Sequence, residues 1–218
     1  MELELFSLLN FFTRVFMGIF VILDPFGASS HFLALTSHQK DMVKKDIAKK
    51  ACTVAFGILV FFSLAGGALF KYFGLTLAAL KIAGGVLLFT VALNMLHGKR
   101  AGVRTTPEEE KEHESLEDIA VIPMAIPLLS GPGTITTVMV FAGEAHSLIN
   151  LGMVILASFL ALLISYIILS NSVYLLNILK TTGIKILTRI MGLIMSVIAV
   201  QFVINGIIDI LPTLLKKI

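Results

Sequence analysis

Six runs of predominantly apolar residues, each about 20 residues or longer, dominate this chain and leave few folds open to it. They extend over about Phe6 to Thr36, Ile47 to Phe70, Gly74 to Leu96, Ile119 to Ala142, Leu148 to Leu169 and Ile184 to Leu211. A helix rises about 1.5 Å per residue, so each run is long enough to cross a hydrocarbon core of about 30 Å. None shows the strict alternation of a membrane-barrel strand, so the runs read as helices. The 218 residues are 57% hydrophobic and 14% charged, with mean hydropathy +0.96, which excludes an ordinary soluble domain. The expected fold class is an all-α membrane protein of six transmembrane helices, with the lipid bilayer as its first partner.

The first run lacks a basic leader and carries Glu2 and Glu4, so it reads as a retained helix rather than a removable signal. Cys52 is the only cysteine, which excludes an intramolecular disulfide or a multi-cysteine metal site and suits a packing residue. The formal charge of +3 belongs to loops and reports orientation, not nucleic-acid binding. Lys40, Lys44, Lys45, Lys49, Lys50, Lys99, Arg100, Arg104, Lys111, Lys180 and Lys185 fall on one side, against Lys71, Lys216 and Lys217 on the other. By the positive-inside rule the richer side is cytoplasmic, and both termini are extracytoplasmic. The loop from Gly98 to Glu117, with Glu108, Glu109 and Glu110, then reads as a solvated cytoplasmic linker.

Two of the runs are interrupted. Ser130-Gly131-Pro132-Gly133-Thr134 breaks the fourth and Asp24-Pro25-Phe26-Gly27 breaks the first, and Pro25 and Pro132 are 107 residues apart (132 − 25). Lys81-Ile82-Ala83-Gly84 and Arg189-Ile190-Met191-Gly192 form a second landmark pair at 108 (189 − 81). The chain therefore reads as a duplication, residues 1–97 and 118–218 joined by the linker 98–117. An odd number of helices per repeat inverts the second copy, and the first helix of each is broken near the midplane.

Freed backbone groups at that depth are tolerated only where protein or a polar cavity receives them, so the breaks are the candidate site. Asp24 is a carboxylate in the membrane core, which suits contact with a ligand or proton, and equally a residue that only caps the half-helix started by Pro25. Phe26 and Gly27 continue that start. Gly131, Pro132 and Gly133 open the second half-helix, with Thr134 as its expected cap and Thr136 and Thr137 adding hydroxyls. Its N–H groups and positive dipole end favour a carboxylate, and the alternative is a kink that lets helices pack closely. Pro123 and Pro127 read as local distortion. Arg14, Lys81 and Arg189 read as snorkelling anchors, and Asn94, Gln201 and Asn205 as interhelical hydrogen-bonding groups. Gly66-Gly67 and Gly84-Gly85 suit close packing, while Glu144 and Asp209, near helix ends, call for no special role. His31 alone of the five histidines is near a break. No enzyme motif, nucleophile and base pair, metal-ligand spacing or cofactor signature is present, so no catalytic function and no metal or cofactor is expected.

At these residues the chain resembles the MarC family of integral membrane proteins, which includes SnatA-type small neutral amino acid transporters. The resemblance rests on Asp24-Pro25-Phe26-Gly27 with Phe32-Leu33-Ala34-Leu35-Thr36, on Ile126 through Thr137, and on the helix 3 and helix 6 landmark strings. It implies a bacterial or archaeal cytoplasmic membrane, two broken segments facing a central site, and glycine, alanine or a similar neutral amino acid as substrate. The implied site is Asp24, Pro25, Phe26, Gly27, Gly131, Pro132, Gly133, Thr134, Thr136 and Thr137. Where members follow Asp-Pro-x-Gly with Asn-x-Pro, this chain has Ala28, Ser29 and Ser30, which alters the wall beside that site. The expected function is a secondary transporter by alternating access, with a proton or Na+ as coupling ion and an oligomer compatible with the sequence. A passive channel or facilitator and a non-transporting scaffold or sensor are the competing classes.

Overall fold

The computed structural model describes residues 2–98 and 120–215, and among these the chain is helical with no strand. The elements are α1 (Glu2–Leu23), α2 (Pro25–Leu35), α3 (Asp41–Phe73), α4 (Leu77–Leu96), an irregular wide-turned α5 (Ala120–Leu129), α6 (Pro132–Gly143), α7 (Leu148–Ser170) and α8 (Ser172–Leu215). Five stretches have the length and composition to cross a membrane: Phe6–Leu35, which contains the first break, then α3, α4, α7 and the part of α8 up to Pro212. The fourth expected span is delivered in two pieces, α5 and the short apolar α6. The Glu-rich linker lies outside the described residues.

Local chemistry sets the boundaries. Pro25 and Pro132 each occupy the first turn of a helix, where a missing N–H costs nothing. Gly74 ends α3 in the left-handed region at φ 65°, with the Leu75 N–H returning to the Phe70 carbonyl at 2.9 Å. Thr76 caps α4 through the Ala79 N–H, and Ser147 caps α7 through the Asn150 N–H, both at 3.1 Å. Within α5 the distortion expected around Pro123 and Pro127 falls on the residues before them. Ile122 (φ −125°, ψ 121°) and Ile126 (φ −124°, ψ 117°) are extended, as a following proline ring demands. The last helix starts earlier than Ile184 and is interrupted at Lys180, whose φ of 55° and ψ of 174° are foreign to a helix.

The bundle has an apolar core and, unlike a soluble protein, an apolar outer surface as well. Large apolar side chains such as Phe61, Leu64, Val86, Leu193 and Val197 are exposed, where lipid would meet them. Small residues are frequent on the inward-facing stripes, with Ala48, Ala51, Cys52, Ala55, Ser63 and Gly66 beside Ile47 and Leu59 on α3, and Ala157, Ser158, Ala161 and Ser165 beside Val154, Leu162 and Leu169 on α7. Cys52 is thus the packing residue the sequence suggested. Lipid tails give helices no hydrophobic incentive to associate, so close van der Waals approach by small residues holds such a bundle. The α4 and α8 pair forms the most extensive interface, followed by α1 with α7, and α3 with α7, α5 and α6; α2 packs on α8 and α6 on α4. Leu77 lies against Gly143, so the turns before α4 and after α6 share one end of the bundle.

The α4–α8 seam is backbone-tight. A Cβ at Gly85 would stand 2.6 Å from the Ala199 carbonyl oxygen, and one at Gly206 would stand 2.8 Å from the Ala78 carbonyl oxygen. Gly84 instead faces Thr136, Gly66 faces Met139, and Gly67 faces nothing within 4 Å, so only part of each glycine pair serves close approach. Gly85→Leu or Gly206→Leu is expected to overpack this seam at a cost of about 1–3 kcal/mol, lowering the unfolding midpoint of the detergent-purified protein. Gly57→Ala, with nothing within 4 Å, is the control, and equal midpoints for all three variants would refute the seam's role.

Candidate functional site

At the first break, Asp24 adopts the left-handed conformation (φ 38°, ψ 63°), which aspartate tolerates better than most residues because its short side chain bonds locally. Its carboxylate Oδ1 accepts the Gly27 N–H at 3.2 Å, and its carbonyl accepts the Ala28 N–H at 2.8 Å. The capping role therefore exists. The carboxylate is half-buried, and a Cβ on Gly27 would overlap its Oδ2. Gly27 also faces Thr188 of α8, whose Oγ1 would lie 3.1 Å from such a Cβ. Pro25 is buried, and Phe26 packs edge-on against Phe20 with centroids 6.4 Å apart. Ser29, between Ala28 and Ser30, is fully buried and donates to the Phe26 carbonyl at 2.6 Å. Its hydroxyl is thus committed to the helix.

At the second break the cap differs from expectation. Gly131 is the N-cap of α6, with no side-chain capping bond, and Thr134 lies inside the first turn, buried. The correction has a simple cause: Pro132 fixes the first helical position, which places the cap one residue before it. Ser130 closes the preceding segment by sending both its hydroxyl (2.7 Å) and its N–H (2.9 Å) to the Ala125 carbonyl. Gly133 lies beneath Leu88 of α4 and Ile22 of α1, its would-be Cβ 3.0 Å and 3.8 Å from them. Since Ile22 is two residues before Asp24, the two breaks are neighbours in space. Thr136 Oγ1 is spent on the Pro132 carbonyl at 2.7 Å. Thr137 Oγ1 is fully buried and has no hydrogen-bond partner among the described residues. It stands one turn beyond Gly133 on the same face of α6.

Sequence reasoning missed a second cluster. Lys81, read as a snorkelling anchor, has its side chain 7% exposed and pairs with Glu144 at 2.9 Å and Asp209 at 2.8 Å. Arg14, also read as snorkelling, pairs with Glu144 at 3.2 Å, its guanidinium 6.0 Å from the Phe141 ring centre. Glu144 and Asp209 therefore do have a role. An ammonium this buried needs opposite charge, and four separate helices supply the pieces. The available signal was the expected topology, which places two cations and two carboxylates at one end of the bundle.

Gln201 and Asn205 also differ from expectation: they bond each other at 2.7 Å within α8, one turn apart, not across helices. Arg189 is exposed, near Gly98, and Asn94 is exposed. His31 is half-buried on α2. Among the described residues no group of three His, Cys, Asp or Glu is placed to hold a metal ion.

Comparison with known proteins follows the same lines. Residues 9–211 match the model of the MarC family, described as "MarC family integral membrane protein". A UPF0056 membrane protein of Methanocaldococcus jannaschii is 42% identical over 199 residues, covering 91% of this chain and 97% of that protein. One from Aquifex aeolicus is 37% identical, covering 92% and 94%, and one from Escherichia coli is 31% identical, covering 93% and 94%. No solved structure matches.

Asparagine tolerates the left-handed conformation and caps helices as well as aspartate does, so Asp24→Asn is expected to leave stability within about 0.5 kcal/mol of the parent. Asp24→Ala loses both the cap and the conformational tolerance and should cost about 2–3 kcal/mol. Unfolding midpoints of the purified variants measure the difference, and equal losses would contradict the capping geometry.

Proposed function

Because the chain belongs to the MarC family of integral membrane proteins, we propose that it is a secondary transporter, and that its cargo is a small neutral amino acid such as glycine or alanine. The observation that carries this reading is the pair of half-helices begun by Pro25 and Pro132, whose starts are brought together through Ile22 and Gly133. A half-helix start offers unbonded N–H groups and the positive end of a dipole, which suit a substrate carboxylate at Gly131 to Thr134. Thr137, the one buried threonine hydroxyl left without a partner among the described residues, adds a donor beside it. Asp24, paired only with a backbone N–H through Oδ1, supplies the opposite charge for the amino group or for a coupling proton or Na+. Nothing in this arrangement requires a covalent step, so the proposal is a carrier and not an enzyme.

Alternating access would follow from an inverted repeat, and the packing supports one. Helices α3 and α7 begin at Asp41 and Leu148, again 107 residues apart (148 − 41), like Pro25 and Pro132. Exchanging the halves maps α1 on α7 onto α5 on α3, α2 on α7 onto α6 on α3, and α2 on α8 onto α6 on α4, while the α4–α8 and α3–α7 contacts map onto themselves. Lys81 and Arg189, equivalent at 108, fall at opposite ends of the bundle, as inversion requires. The lysine-rich end, with Lys40 to Lys50, is assigned to the cytoplasm and both termini to the outside.

The test is counterflow of radiolabelled glycine and alanine in proteoliposomes, with and without proton and Na+ gradients. Saturable exchange is expected, abolished by Asp24→Asn and by Gly133→Val, which would drive a branched side chain into Leu88. Linear, unsaturable flux would favour a channel, and no exchange of any small neutral amino acid would overturn the substrate. A reporter fused after Ile218 that is active only in the cytoplasm would overturn the orientation.

A further inference from the structure

Three ion pairs close one end of the bundle, and each runs from a cation in the first half to a carboxylate in the second: Arg14 to Glu144, Lys81 to Glu144 and Lys81 to Asp209. They join α1, α4, the end of α6 and α8 around a lysine side chain only 7% exposed. Below them lies an aromatic plug. Phe141 presses on Gly18 of α1, where a Cβ would meet its ring at 3.0 Å, and meets Phe202 of α8 edge-on at 5.9 Å. Phe141 is one turn beyond Thr137 on α6, so the order along the bundle is helix breaks, aromatic plug, ion pairs.

Among the described residues the other end shows no matching cluster. The repeat offset takes Lys81 to Arg189 and Glu144 to Ser37 (144 − 107), so the carboxylate that Arg14 and Lys81 share has no acidic counterpart there. Arg189 is exposed and has no ion pair among the described residues. A buried ammonium held by two carboxylates has two stable arrangements, fully paired or fully hydrated, and the states between them leave a charge desolvated and alone. Such a contact behaves as a switch and not as a spring. We propose that Arg14, Lys81, Glu144 and Asp209 are a charge latch between the two halves, which must separate for the region between the helix breaks to open toward this end. The proposal rests on the transport reading above, but its test reads geometry and not flux.

Cysteines introduced at Leu75 and Leu148, both exposed at the latched end in opposite halves, accept nitroxide labels in a Cys52→Ser background. A second pair at His38 and Tyr174 reports the other end. Electron–electron distance measurements on the full chain in lipid nanodiscs are expected to give one main Leu75–Leu148 distance in the parent. Glu144→Gln, which keeps shape and removes charge, should raise a longer-distance population at least threefold. Glu144→Asp, which keeps charge and changes shape, should stay near the parent. A role in packing alone reverses that order and overturns the latch. Should Glu144→Gln fail to fold, Asp209→Asn carries the test, since it removes one partner of Lys81 at a carboxylate already 43% exposed. An unchanged Leu75–Leu148 distance in Asp209→Asn and in any folded Glu144→Gln overturns the proposal whatever the uptake assay shows. Widening at the latched end with no shortening between His38 and Tyr174 sustains the latch and counts against alternating access instead.

Discussion

Hydrocarbon cannot hydrogen-bond a peptide group, and each group left bare there costs several kcal/mol. The starts of α2 and α6, two of the places where the helices are interrupted, show how this protein meets that demand. Each interruption uses the cheapest available devices. Proline removes a donor that would have been unpaired, the Asp24 side chain and carbonyl take the Gly27 and Ala28 N–H groups, and the Gly131 carbonyl takes the Ile135 N–H at 3.0 Å. Ser130 doubles its donors onto one carbonyl. The N–H groups that these devices leave uncovered include those in the first turns of α2 and α6, and those two starts are close together through Ile22 and Gly133.

Much of this was legible because it is local. Prolines, glycines and an aspartate inside apolar runs announce breaks to within a residue, and Thr76, Ser147 and Gly74 announce helix ends in the same way. The wide turns of α5 were legible as distortion at Pro123 and Pro127, though the residues that leave the helix are Ile122 and Ile126. The cap at the second break was misassigned to Thr134 because a threonine before apolar residues is a stronger textual signal than a glycine before a proline. The extra turns of α8 before Lys180 were invisible, since nothing in that stretch marks the residue that leaves the helix.

The charge cluster was illegible for a different reason. Arg14 and Glu144 are 130 residues apart and Lys81 and Asp209 are 128 apart, so no periodicity or motif links them. Arg14 and Lys81 alone looked like anchors, and Glu144 and Asp209 like helix-end charges with no special role. Only the folded path, which returns α1, α4, α6 and α8 to the same end, turns four unremarkable residues into one network. The same holds for Thr188, whose nearness to Gly27 follows from α2 packing on α8.

The glycine-lined seam between α4 and α8 has a mechanical consequence. At Gly85 against Ala199 and Gly206 against Ala78 the backbones approach closely, with the Val203 and Ile82 side chains packed beside them, so little space is left for sliding. A shift of either helix along its axis would drive a Cβ-bearing residue into a carbonyl. Rotation about the line of contact carries no such penalty. Any movement of α4 against α8 would therefore be a tilt about this seam and not a slide along it.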